Sequence, residues 1–216
     1  MGSAHNWLNL YLSERSNSVR VGSSSSSVLS SICGVPQGSV LGPVLFSIYI
    51  SPIAHIASQF NVSQQQYADD TQLMLFLSPS DLDGSLLNLQ QCLSSLKSWF
   101  FHNGLALNSD KTEAICLGTT HRSQSLSGLA SIQVADASVT LSNHVKLLGV
   151  TLDNRLSFDK HVSNVCSISY FHIRALRHIR TCLDLESSKS IACAIVGSRL
   201  DYANSCLSEN SSCNIC

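Results

Sequence analysis

The stretch Gln66-Tyr67-Ala68-Asp69-Asp70-Thr71-Gln72-Leu73 sets two adjacent carboxylates between short runs that can form strands. Successive side chains of a strand point to opposite faces, so Asp69 and Asp70 can share one side only if the chain turns there. An Asp-Asp pair tolerates the left-handed backbone of a tight hairpin turn. Tyr67 before it and Leu73-Met74-Leu75-Phe76 after it have strand propensity. Both acids are therefore expected at a hairpin tip. Crowded carboxylates repel each other unless a cation sits beside them. Magnesium, which takes oxygen ligands and keeps positions open for phosphates, suits such a pair. An acidic surface turn has the same local sequence, so the surrounding residues must decide.

Upstream, Cys33-Gly34-Val35-Pro36-Gln37-Gly38-Ser39-Val40-Leu41-Gly42-Pro43 forms a glycine-rich loop leading into the apolar helix Val44–Ile50. Gly34, Gly38 and Gly42 let backbone approach a ligand closely. Gln37 offers an amide that both donates and accepts, and Pro43 suits the first helical position. Earlier still, Trp7 to Arg15 reads as the end of a helix, Ser18 to Gly22 as a short strand, and the serine run from Ser23 to Ser27 as a flexible surface connection.

Downstream, Leu82, Leu86, Leu89, Leu93, Leu96 and Phe100 recur at helical spacing, predicting a core helix from about Asp81 to His102 that Asn103-Gly104 ends. Leu105 to Leu117 is expected to return as a strand with Lys111 near its start. Ile132–Val134 and Val139–Leu141 should form a small hairpin, followed by Val145 to Leu152. From Phe158 to Arg180 the pattern is helical, with Val162, Val165, Leu176 and Ile179 as inward candidates. Arg174, Arg177 and Arg180 recur every three residues and roughly share a face, able to meet phosphates or simply to face solvent. His172 and His178 add conditional charge. A further helix is expected from about Leu185 to Ala203.

At 216 residues, with 44% hydrophobic and 12% charged residues, the chain is a globular segment able to build a core, not a disordered one. A net charge of -1 means that any grip on a phosphate backbone must be local. The nine cysteines lack a regular framework and are expected to be reduced and mostly buried, in an intracellular protein of the cytoplasm or nucleus. Cys213-Asn214-Ile215-Cys216 has metal-ligand spacing but no second pair. The opening residues do not form a secretory signal. Pro52 and His55 interrupt the best candidate for a membrane span, so no membrane partner is expected.

Taken in order, the glycine-rich loop, Tyr67-Ala68-Asp69-Asp70, the Leu107–Glu113 segment and Val145–Asp153 resemble the central and later palm motifs of reverse transcriptases, with a likeness to non-LTR retrotransposons of the jockey-like group. The resemblance implies an α+β fold: a partial palm over 1–157, an antiparallel sheet packed on helices, then a helical start of a thumb over 158–207 and a divergent tail over 208–216. It also implies a polymerase acting on an RNA template, a DNA primer and deoxynucleoside triphosphates, with a two-ion Mg2+ site. By likeness Asp69 and Asp70 are catalytic metal ligands, and Lys111 serves the leaving pyrophosphate. Pro36, Gln37, Gly38, Tyr67 and Ala68 line the nucleotide site. Leu148, Gly149, Arg174, Arg177 and Arg180 meet the primer duplex, Gly149 allowing close backbone contact with it.

In that family the Trp7-x-x-x-Tyr11-Leu12-Ser13-x-Arg15 element follows a first catalytic motif carrying another metal-binding Asp. The only acid before Cys33 is Glu14, so the catalytic set is expected to be incomplete, the fingers absent, and the isolated chain inactive. Missing palm segments or other element-encoded domains would be its partners. A non-catalytic remnant, or a fold reused to bind nucleic acid, is the rival reading.

Overall fold

A computed structural model describes residues 2–78, 80–119, 129–134 and 136–207. The chain forms two compact units, Met1–Leu75 and Phe76–Cys216. The boundary expected near residue 157 falls inside the second.

In the first unit, helix α1 (Ser3–Leu12) is followed by two small ribbons. Strand β1 (Arg15–Asn17) pairs antiparallel with β4 (Leu29–Ser31), and β2 (Arg20–Val21) with β3 (Ser24–Ser25). The serine run is thus partly a strand, because Gly22 takes a φ of 60° and folds the chain back. Helices α2 (Gly42–Ile50) and α3 (Pro52–Ser58) each begin with a proline in the first turn, whose missing N–H is no loss there. Their buried Ile50, Ile53 and Ala57 form the core of this unit with Val62. Helix α3 packs on β5 (Ser63–Tyr67), which pairs antiparallel with β6 (Asp70–Met74).

The second unit is built on α4 (Leu82–His102). The Asp81 carboxylate caps its start by accepting from Gly84 N at 3.2 Å, and Gly104 ends it at φ 66°. Its apolar stripe is buried at Leu93, Leu96 and Phe100, joined by Cys92, whose thiol burial pushes up. Strands β7 (Ala114–Ile115), β8 (Ser131–Val134) and β9 (Ala137–Ser142) form a sheet of order β7-β9-β8, its β7–β9 pair parallel. The expected hairpin around Asp136 is present. The architecture is therefore mixed α+β in several small sheets.

Strands β10 (His144–Leu147) and β11 (Val150–Asp153) make a second antiparallel hairpin. Helix α5 (Asp159–Ile179) follows, then α6 (Leu185–Ala192), a π-helical stretch over Cys193–Gly197, and α7 (Ser198–Asp201). Three sequence expectations need correction. Leu105–Leu117 is not one strand: Ser109–Lys111 is a 3-10 turn, and only Ala114–Ile115 is extended. Ile179 is 52% exposed although it shares a face with buried His161, because it is the last residue of α5. Of the described cysteines only Cys92 is buried, Cys116 is half-buried, and Cys33, Cys166, Cys182, Cys193 and Cys206 are exposed and unpaired, lying on loops and outer helix faces. Cys213–Cys216 and the rest of the tail lie outside the described residues.

Candidate functional site

The β5–β6 register pairs Tyr67 with Asp70, leaving Ala68 and Asp69 as a two-residue turn. Ala68 carries a positive φ of 52°, which costs an L-residue roughly 1 kcal/mol. The cost is offset by a side-chain network on one face of the hairpin. Gln66 Nε2 donates to the Ala68 carbonyl at 2.7 Å, while Gln66 Oε1 accepts from Gln64 Nε2 at 2.8 Å and Thr71 Oγ1 at 2.9 Å. Gln64 and Gln66 are two residues apart, and Thr71 lies directly across from Gln66, so strand geometry alone brings the three together.

Asp69 occupies the tip and Asp70 opens the following strand, a refinement of the expectation that both acids sit at the tip. Both are exposed, as are Tyr67 and Ala68. Among the described residues no hydrogen bond or ion pair engages either carboxylate. Two adjacent unpartnered carboxylates on a braced turn fit an oxygen-preferring divalent ion. They fill only part of its shell, since no group of three metal-ligating side chains forms among the described residues.

The glycine-rich loop of the same unit has an equally specific backbone. Ser39 N donates to Pro36 O at 3.2 Å across Gln37 and Gly38, and Gly38 has φ 79°. A positive φ at the third residue is the requirement of a type II turn and the reason for glycine there. Pro36, Gln37 and Gly38 are exposed on this turn. Behind it Gly42 is buried, and a Cβ on it would meet Ser39 Oγ at 3.0 Å. Arg15 anchors the loop's start: its guanidinium donates to Cys33 O at 3.3 Å and to Gly34 O, while its Nε donates to Leu12 O at 3.2 Å.

In the second unit Lys111 is exposed at the end of the 3-10 turn, whose start Asn108 caps by accepting from Asp110 N at 3.2 Å. Two residues on, Glu113 accepts from Lys146 N on β10 at 3.3 Å, tying the Lys111 segment to the second hairpin. That hairpin turns through Leu148 and Gly149, at φ 46° and 87°. The Tyr202 hydroxyl donates to the Leu148 carbonyl. Arg174, Arg177 and Arg180 are exposed on α5 and the turn after it, with no ion pair among the described residues.

Asp153, 7% exposed, holds the corner between β11 and α5. It accepts from Arg155 N at 3.0 Å, Ser157 N at 2.9 Å, Phe158 N at 2.7 Å and Ser157 Oγ at 3.1 Å. Burial pushes its pKa up, but these four bonds outweigh it and hold the carboxyl below the usual range. They also hold Leu156 and Phe158 at positive φ. Next to this corner, Thr151 N donates to Nδ1 of buried His161 at 3.3 Å.

Asp69, Asp70, Pro36, Gln37 and Gly38 thus belong to one unit, and Lys111, Leu148, Gly149 and the arginines to the other. No hydrogen bond joins Gln37 to either acid among the described residues. Among the described residues two shallow cavities lie elsewhere, one of about 270 Å3 beside the Lys97–Asp136 ion pair and one of about 510 Å3 between α3 and β5. Sequence reasoning missed Gln66, Arg15, Asp153 and Tyr202. For Gln66 a signal existed, the polar alternation Gln64-Gln65-Gln66 with Thr71 across the turn. Arg15 and Tyr202 act across gaps of 18 and 54 residues that local pattern cannot span, whereas Asp153 accepts from residues two to five positions on, within reach of a local turn signal.

Residues 2–152 match the family described as reverse transcriptase (RNA-dependent DNA polymerase). The chain belongs to this reverse transcriptase family. It is 32% identical over 176 residues to a probable RNA-directed DNA polymerase from transposon BS of Drosophila melanogaster, a match covering 79% of this chain and 19% of that protein. It is 29% identical over 161 residues to the RNA-directed DNA polymerase from mobile element jockey of the same organism, covering 72% of this chain and 17% of the relative. A probable RNA-directed DNA polymerase from transposon X-element is 30% identical over 164 residues, 73% of this chain and 17% of the relative. The chain therefore spans under a fifth of the length of these relatives. No solved structure matches it. Among the described residues no helix is long and apolar enough to cross a membrane.

Proposed function

We propose that this chain carries the central part of a transposon-encoded RNA-directed DNA polymerase, a palm with the start of a thumb, which extends a DNA primer on an RNA template from deoxynucleoside triphosphates. The observation that supports this most directly is the pair of exposed, unpartnered carboxylates at Asp69 and Asp70 on a turn braced by Gln66. Asp69 at the tip is assigned as the direct ligand for Mg2+, with Asp70 assisting. Bound there, divalent ions would supply Lewis-acid stabilisation of charge on the attacking and leaving oxygens.

The chain's own residues then have distinct tasks. Gln37, at the corner of its type II turn, presents an amide to the nucleotide and the templating base. Lys111 neutralises or protonates the leaving pyrophosphate. The Leu148–Gly149 turn and the arginines Arg174, Arg177 and Arg180 hold the primer duplex, the guanidiniums meeting phosphates. Two carboxylates alone leave divalent ions under-coordinated, so the 216-residue chain by itself is assigned no measurable primer extension.

The test is Mn2+ titration followed by NMR. Paramagnetic broadening should concentrate on amides 66–72 and disappear in Asp69→Asn. Broadening that is absent, or unchanged by the substitution, would remove the metal assignment. A primer-extension assay with Mg2+ checks the rest: incorporation by the isolated chain would show that two carboxylates suffice.

A further inference from the structure

The second hairpin carries an unusual tether. Its turn places Leu148, a non-glycine residue, at φ 46° and Gly149 at φ 87°, positive values at both central positions, as in a type I′ turn. Asparagine and glycine take such angles easily, whereas leucine adopts them at a cost. Something outside the hairpin must favour them, and the residue in contact is Tyr202, which lies 54 positions along the chain and follows α7. Its hydroxyl donates to the Leu148 carbonyl. Its ring occupies the space on the other side of the turn: a Cβ on Gly149 would lie 3.2 Å from Tyr202 Cε1 and 3.5 Å from its hydroxyl oxygen. Glycine is thus favoured at position 149 by the angle, and a Cβ there would also have to displace the ring by a few tenths of an ångström.

We propose that Tyr202 is a positioning residue that locks the Leu148–Gly149 turn and, through it, sets how this hairpin presents itself to a primer-template duplex. The inference rests on the duplex-binding role proposed for the hairpin, and it ties that role to the helical segment beyond α5. The hydroxyl fixes the direction of the Leu148 carbonyl, the ring limits the path of the backbone at Gly149, and Ala203 at φ 58° turns the chain just past the tether. A shift of the segment carrying Tyr202 would therefore alter the turn without any change in β10 or β11.

The experiment compares the full chain with Tyr202→Phe, which keeps the ring and removes the donor, and with Tyr202→Ala. Amide hydrogen exchange is followed across 144–153 and in α5. Affinity for a fluorescein-labelled DNA primer annealed to an RNA template is read by anisotropy. Tyr202→Phe should speed exchange of the Leu147–Val150 amides by about fivefold, leave α5 unchanged, and weaken duplex binding several-fold with an unaltered melting temperature. Unchanged exchange in Tyr202→Phe overturns the lock even if Tyr202→Ala fails to fold. Faster exchange with undiminished duplex affinity overturns its role in presentation. Faster exchange in a chain whose unsubstituted form binds no duplex upholds the lock and instead removes the duplex-binding reading of the hairpin.

Discussion

The β5–β6 hairpin and the β10–β11 hairpin share a plan, two short antiparallel strands joined by a two-residue turn with positive φ at a non-glycine position. They are held by opposite means. The first is braced from within: Gln64, Gln66 and Thr71 all lie on its own strands, and their bonds support the Ala68 carbonyl beside the acids. The second is held from outside, by Tyr202 at its turn, Glu113 along β10 and His161 at Thr151, while its own Asp153 fixes the exit into α5. An internally braced turn can present Asp69 in nearly one conformation whatever the rest of the chain does. An externally held turn reports the state of the elements that hold it.

This contrast can be broken, most forcefully at Asp153. Asp153→Ala leaves the backbone N–H groups of Arg155, Ser157 and buried Phe158 without their acceptor and should destabilise the second unit by about 3 kcal/mol in chemical denaturation. The pH dependence has a matching sign. A depressed carboxyl stabilises fully above its unfolded value, near pH 4, and that stability is lost as pH falls through the lower folded value. Acid titration of Asp153→Asn should show a weaker loss over the same range, and an identical loss would break the assignment.

Gly149→Ala should cost the second hairpin about 2 kcal/mol, combining a left-handed backbone with the approach to the Tyr202 ring. In Tyr202→Ala the ring component of that cost should vanish, a double-mutant coupling readable from melting curves. Gly38→Ala in the type II turn lacks any such neighbour, since nothing lies within 4 Å of the added Cβ. It should cost only about 1 kcal/mol of backbone strain. The smallest effect is expected at Gln66→Met, roughly 0.5–1 kcal/mol, seen as faster exchange of amides 66–71 with the second unit untouched. Global unfolding by Gln66→Met would erase the difference between the two hairpins.

Much of this was legible beforehand where the physics is local. The α4 helix runs from its Asp81 cap to Gly104 because capping and the spacing of Leu93, Leu96 and Phe100 involve residues three or four apart. The acidic turn was legible for the same reason, with only the division between Asp69 in the turn and Asp70 in the strand left to register. Lys111 was misplaced on a strand because Asn108 can satisfy the backbone of a 3-10 turn locally, and propensity in a short run cannot weigh the two. The cysteines were misjudged because thiols are usually buried, whereas the small sheets and outer helix faces here leave most of those described in solvent.

The linear chain alone determined the family motifs, the turn glycines, the limits of α4 and α5 and the paired acids, since each depends on chemistry within a few residues. Only the folded molecule decided that Arg15 anchors the Gly34 loop and that Tyr202 tethers Leu148. Those bonds join residues brought close by packing, and spacing along a chain carries no information about which distant donor reaches a given carbonyl.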